Sequence, residues 1–138
     1  MRVLILGATG ATGSLVVRQL INKNVVVKAV IRSGSNKLDD LLNGDYLETI
    51  VGNISEFNLL KYIELINDCD SVICCLGHSI TFKGLFGRPR MLVSDSIKNI
   101  CEAISRTQKE KVKIILMNTT GNMNKKIKEK YSFGDRIV

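Results

Sequence analysis

The sequence predicts an α/β fold, a doubly wound parallel sheet of five strands in the order 3-2-1-4-5 with helices on both faces. Three observations predict it. Apolar, β-branched runs of strand length alternate with stretches of helical periodicity. The apolar runs are continuous rather than alternating with polar residues, the pattern of strands buried on both faces. No internal repeat and no low-complexity linker interrupts the alternation.

Val3-Leu4-Ile5-Leu6 is the first strand. Thr12 to Ile21 is a helix, with Leu15, Val16, Leu20 and Ile21 recurring at helical spacing and Arg18 and Gln19 on the polar side. Asn22-Lys23-Asn24 turns the chain into a second β-branched run, Val25 to Ile31, completing a βαβ unit. Ser33 to Asn36 reads as a loop, Lys37 to Leu42 as a short helix, and Asn43-Gly44-Asp45 as the turn before a third strand, Tyr46 to Val51. Ser55 starts a helical stretch with Phe57, Leu60, Ile63, Leu65 and Ile66 on its apolar face and Glu56, Lys61 and Glu64 outside. The fourth strand is Ser71 to Leu76, followed by a glycine-rich basic loop from Gly77 to Pro89. Helix Met91 to Arg106 turns Leu92, Ile97, Ile100 and Ile104 inward, and Val112 to Met117 is the fifth strand.

A chain of 138 residues has room for one domain around one core, so residues 1–138 are expected to form a single unit. The 45% hydrophobic content and single proline exclude a disordered chain. A net charge of +7 suits nucleic acid, a membrane surface or an anionic small ligand. The positive charge is spread along the chain, with one run at Lys125, Lys126, Lys128 and Lys130, and neither RNP-like aromatics nor zinc-finger spacing accompanies it. A nucleic-acid partner is therefore not expected. Cys69, Cys74, Cys75 and Cys101 lack CxxC spacing, which argues for buried free thiols in a reducing compartment and against a metal site or disulfide framework. The apolar run at the N-terminus is broken at Gly7, too soon for a signal peptide or a membrane span. No membrane partner is expected, and the location expected is cytoplasmic.

Gly7-Ala8-Thr9-Gly10-Ala11-Thr12-Gly13 lies between the first strand and the first helix, the context that gives a glycine pattern meaning. Gly7 would allow the tight turn, Gly10 a close approach of backbone to a pyrophosphate, and Gly13 close packing of helix on strand. Phosphate would then meet the free N–H groups and positive end of the helix. Thr9 and Thr12 would add hydroxyl donors. The turn as a whole, Ala11 included, is thus a candidate dinucleotide site of Rossmann type. A mononucleotide P-loop is excluded, because no Gly-Lys-Ser/Thr follows. At the end of the second strand stands Arg32, where an acidic residue would bond the ribose of NAD and an arginine suits the 2′-phosphate of NADP. Ser33, Ser35 and Lys37 keep that loop cationic and rich in hydroxyls. NADP(H) is the expected cofactor, with NAD(H) the alternative.

The GxxGxxG spacing of GATGATG resembles the glycine signature of the extended and atypical short-chain dehydrogenase/reductase superfamily. Within it the chain looks most like the NmrA-like, NAD(P)H-binding group, which includes the biliverdin reductase B or flavin reductase type and proteins labelled NAD-dependent epimerase/dehydratase. The resemblance runs from residue 1 to about residue 121 and also rests on Val30-Ile31-Arg32-Ser33, Val51-Gly52-Asn53-Ile54, Cys75-Leu76-Gly77-His78 and Met117-Asn118-Thr119-Thr120-Gly121. It implies that Asn53, where the family usually has aspartate, and Ile54 lie near adenine, that Leu76, Gly77 and His78 lie over the cofactor, and that Thr119 and Thr120 follow the fifth strand, Thr119 at the cofactor and Thr120 as the candidate catalytic hydroxyl. Dimers through the helices beside the fourth and fifth strands are common in the superfamily, so a homodimer is compatible with the resemblance.

The superfamily's catalytic Tyr-x-x-x-Lys is absent: Tyr46, Tyr62 and Tyr131 are followed four residues later by Ile50, Ile66 and Asp135. The chain also stops before the family's further strands and helices, which suggests a truncated product or an excerpt. Two functions stay open. One is an atypical oxidoreductase that passes hydride to an unnamed small acceptor; the other is an NADP(H) sensor or scaffold without turnover.

Overall fold

The computed structural model describes residues 1–42, 44–77, 92–107 and 111–117. Strands β1 (Arg2–Leu6), β2 (Val26–Ile31), β3 (Leu47–Val51), β4 (Ser71–Cys74) and β5 (Lys113–Leu116) form one parallel sheet in the order β3-β2-β1-β4-β5. The fold class and strand order expected from the sequence are those of the structure. β1 is central, with Ile5 in register with Ala29 of β2 and Ile73 of β4.

Continuous apolar strands need cover on both sides, and alternate residues of β1 divide between two cores. Val3 and Ile5 join Val27 and Ala29 beneath helix α1 (Ala11–Ile21), whose Val17 is fully buried. Leu4 and Leu6 join Val30, Val72 and Cys74 beneath helices α2 (Leu59–Ile66) and α3 (Leu92–Arg106), which contribute Tyr62, Leu65, Ile66, Ile100 and Ala103. β5 departs from this pattern. Its four residues are all exposed, because α3 packs chiefly on α2 rather than over the edge strand.

Several local expectations are corrected. The inward face of α1 is Gly13, Val16, Val17, Leu20 and Ile21, while Leu15 is 61% exposed. Once Gly13 is pressed against the sheet, positions four and seven residues on must face inward too, and Leu15 turns out. The stretch from Ser55 is not one helix. A 3₁₀ turn, Ile54–Glu56, is capped by Asn53, and α2 starts afresh after Asn58, whose Oδ1 accepts from Lys61 N at 2.9 Å. With that phase, Tyr62, Leu65 and Ile66 face the core and Leu60 faces water, 73% exposed. The short helix expected at Lys37 to Leu42 shrinks to a 3₁₀ turn, Asp39–Leu41. Of the cysteines, Cys69, Cys74 and Cys75 are buried and outside any disulfide, but Cys101 is exposed, on the side of α3 opposite Ile100 and Ala103.

One charged cluster is built into the sheet. Lys28, mid-strand in β2, is buried, with Nζ 2.5 Å from Asp68 Oδ1 and 3.9 Å from Glu48 Oε1. Arg2 ion-pairs with Asp68 too, and reaches Glu48 at 3.3 Å. Burial works to raise the Asp68 carboxyl, but the hydrogen bonds and charges of Lys28 and Arg2 outweigh it and hold the group at about 2. Among the described residues, no helix is long and apolar enough to cross a membrane, and no group of three His, Cys, Asp or Glu side chains is placed to hold a metal ion. Asn43, His78, Met91, Thr119, Thr120, the loop beyond Gly77 as far as Pro89 and the chain from Lys125 onward lie outside the described residues.

Candidate cofactor cleft

At the carboxyl end of β1 the chain makes its turn through Gly7, whose φ is +77°. A Cβ there would come 2.7 Å from the Cys75 carbonyl oxygen, so glycine is required both by backbone conformation and by the neighbouring strand's exit. The Gly7 carbonyl accepts from Gly10 N at 3.0 Å, which closes the turn, and Gly10 then serves as N-cap of α1. Gly13 lies against the same turn: a Cβ on it would sit 2.1 Å from the Gly7 oxygen. The first and third glycines thus set how closely α1 approaches β1. No side chain caps the start of α1, and no acidic residue stands in its first turn, so the helix presents an electropositive end.

This end opens on a cleft of about 330 Å³ above the carboxyl ends of β1, β2, β3 and β4. Of the residues expected at a cofactor, Gly7, Thr9, Gly10, Arg32, Asn53, Ile54, Leu76 and Gly77 line it. Ala11, Thr12, Ser33 and Lys37 are exposed and do not line it, and Gly13 is buried in the junction beneath. The other lining residues are Val30, Ile31, Gly52 and Cys75, which belong to the motifs of the resemblance without an expected role at the cofactor, and Ser55 and Leu92. Most lie at strand ends or just past them, and the rule that open parallel sheets bind ligands beyond their carboxyl ends could have found those. Leu92, at the start of α3, carried no such signal.

Among the described residues, Arg32 is the only charged one on the lining, and no carboxylate lines it. Asn53 lines the cleft and is also bonded within its own turn. Its Nδ2 donates to Glu56 Oε1 at 2.7 Å, while its Oδ1 accepts from Ser55 Oγ at 2.8 Å and Ser55 N at 3.3 Å. These bonds hold the Ile54–Glu56 turn in place and leave the second Asn53 amide N–H for a ligand in the cleft. Gly52 lies against the Phe57 ring, where a Cβ would approach within 2.6 Å, and that contact seats the turn from the other side.

Among the described residues the cleft is poor in acid–base groups. Burial pushes the Cys74 and Cys75 thiols up, away from the thiolate form that nucleophilic attack requires. Burial likewise raises the Tyr62 phenol, which outweighs the hydrogen bonds it makes with Ser96 and Asn99; the Ser96 bond is 3.2 Å long. Tyr62 faces a separate cavity of about 60 Å³ shared with Asp95 and Ser96, and neither it nor Tyr46 lines the cleft.

The model of a family described as NAD(P)H-binding matches residues 7–136. No curated relative matches the chain. Among solved structures, Pen from Bacillus thuringiensis is similar at 19% identity with a TM-score of 0.70, over 87% of this chain and 38% of its own. UDP-glucuronic acid 4-epimerase from Bacillus cereus, solved with UDP-glucuronic acid and NAD, gives 19% identity and 0.70 over 88% and 41%. A wide-type short-chain dehydrogenase/reductase from Veillonella parvula, solved with NADP, gives 16% and 0.64 over 87% and 48%. This chain therefore spans less than half the length of each of these three proteins. At such identities the likeness is one of fold.

Proposed function

This chain belongs to the NAD(P)H-binding family, and from that premise we propose that its cleft takes NADP(H) in preference to NAD(H) and that the protein is an atypical, NmrA-like oxidoreductase of the biliverdin reductase B or flavin reductase type. The observation that carries the cofactor preference is Arg32. Among the described residues it is the sole charge on the lining, at the end of β2 where an adenosine 2′-phosphate would come to rest, and none of them places a carboxylate there to bond an unphosphorylated ribose. The cradle fits the rest of a dinucleotide: Gly7 and Gly10 bring bare backbone to the wall, and the uncapped start of α1 meets pyrophosphate with N–H groups. Thr9 adds a hydroxyl, and Leu76 and Gly77 cover the cofactor from β4.

Bound there, NADP(H) would supply a hydride for a small acceptor. The protein's own contribution is binding, orientation and exclusion of water by Val30, Ile31, Leu76 and Leu92, with Thr120 hydrogen-bonding the acceptor and Thr119 and His78 at the cofactor. Titration of the purified chain should show tighter binding of NADPH than of NADH. In Arg32→Ala the NADPH affinity should fall about tenfold to a hundredfold, the loss of a charge-assisted phosphate contact, while NADH binding changes little. Equal affinities in the parent chain would refute the preference.

A second reading is favoured by a specific observation. Tyr46 and Tyr62 both stand off the cleft, so the described residues offer no phenol as proton donor. A sensor or scaffold that binds NADP(H) without turning it over fits that arrangement. Oxidation of NADPH followed at its nicotinamide absorbance with added flavin or quinone should be acceptor-dependent for the oxidoreductase; tight binding with no such oxidation identifies the sensor. In either case we place the protein in the cytoplasm, as one domain over residues 1–138, with a homodimer compatible with this reading.

A further inference from the structure

Arg18 is the only basic residue of α1 and reaches sideways to the segment that follows β2. Its guanidinium grips Asp40 with two prongs, Nη1 to Oδ2 at 2.5 Å and Nη2 to Oδ1 at 2.9 Å, and Nη2 also donates to the Lys37 carbonyl at 3.3 Å. Leu38, between these two partners, is buried in the core under α1. Residues 37–40 are thereby fastened to the helix by a planar, directional fork that a lysine could not reproduce.

The stretch so fastened begins at the cleft. Arg32 lines it, and the chain then turns through Gly34, at φ +76°, with Ser35 N donating to the Arg32 carbonyl at 3.2 Å. From Arg32 to Asn36 no side chain makes a hydrogen bond or ion pair with the rest of the described residues. The turn's place is therefore decided at its two ends, β2 on one side and the Arg18 fork on the other. The same pairing offsets the charge of Asp40.

We infer that Arg18 is a positioning residue for cofactor choice: by clamping Lys37 to Asp40 on α1, it holds the Arg32 turn at the rim of the cleft, where the turn discriminates NADP(H) from NAD(H). This rests on reading the cleft as an NADP(H) site. Both partners are substantially exposed, at 39% and 58%, so the pair adds little to global stability and acts locally.

The test titrates NADPH and NADH separately against the parent chain, Arg18→Ala, Asp40→Ala and the swapped pair Arg18→Asp/Asp40→Arg, and follows amide hydrogen exchange over residues 33–41 without nucleotide. Arg18→Ala and Asp40→Ala should each weaken NADPH about tenfold and NADH less than about twofold, with faster exchange at Ser35, Asp39 and Leu41 and little change in melting temperature. The swapped pair should recover most of both. An equal loss for the two nucleotides, an unchanged NADPH preference, or unchanged exchange would each overturn the positioning role while leaving the cofactor reading intact. A parent chain without NADPH preference overturns the cofactor reading itself, and this inference with it.

Discussion

Gly13→Ala is expected to cost about 3 kcal/mol or more in stability and to remove nucleotide binding with it. The new methyl would sit 2.1 Å from the Gly7 carbonyl oxygen and 3.1 Å from Ala8 Cα. Both are backbone atoms of the turn itself, so no rotamer change relieves the overlap. Relief requires α1 to lift from β1, and that would open the packing of Val17 on Val3, Ile5 and Val27, which are almost wholly buried. Gly10→Ala is the informative control. Its Cβ would approach the Gly7 oxygen only to 3.2 Å, and the backbone at residue 10 is extended, with φ −69° and ψ 168°. That variant should fold with a loss of about 1 kcal/mol or less, yet bind NADPH poorly because the methyl occupies the wall a pyrophosphate must approach. Urea unfolding and nucleotide titration of the two variants separate the roles. A Gly13→Ala chain with an unchanged midpoint would show that the junction is looser than its geometry demands.

The contrast explains why so much of this protein could be read from its sequence. A strand buried on both faces must be apolar throughout, and a strand-to-helix turn at van der Waals contact must be glycine, so Val3 to Leu6 and the first and third glycines declare both the element and its packing. Strand order followed from the alternation of elements and the handedness of crossovers. Helix phase was harder. Leu15 matches helical periodicity as well as Val16 and Val17 do, and only the pressure of Gly13 on the Gly7 turn decides that Leu15 faces out. Leu60 faces water for a related reason: Asn58, not Ser55, is the cap that starts the helix. At the cleft, Arg32, Leu76 and Gly77 were legible because they sit at strand ends. The local bonding of Asn53 to Ser55 and Glu56 was not, since it depends on a 3₁₀ turn too short to leave a periodic signal. Long-range charge pairs such as Arg18 with Asp40, 22 residues apart, have no sequence signature at all.

The Lys28 cluster is the other long-range case, and it sets the second large effect: Asp68→Asn should destabilise the protein by about 2 kcal/mol, whereas Lys28→Met should stay within about 1 kcal/mol of the parent. Lys28 is buried in the sheet, and without Asp68 at 2.5 Å its nearest remaining carboxylate is Glu48 at 3.9 Å. Stranding a wholly buried charge costs about 3–5 kcal/mol, but Asp68 is 41% exposed, so water already screens the pair and the cost is smaller. Methionine at position 28 fills much of the same volume with apolar atoms and leaves Asp68 and Glu48 to Arg2, so removing the buried cation itself is nearly neutral. The double variant should then be more stable than Asp68→Asn alone, a non-additivity that marks the two groups as one unit. The pH dependence has a definite sign. The Asp68 carboxyl is held at about 2 in the folded chain against 3.8 ordinarily, so the unfolded chain binds the proton first as pH falls. The contribution is complete above the ordinary value and disappears as pH drops through about 2. Unfolding free energy measured across that range should fall more steeply for the parent than for Asp68→Asn, and parallel curves would mean that Asp68 is not the group that couples the fold to protons.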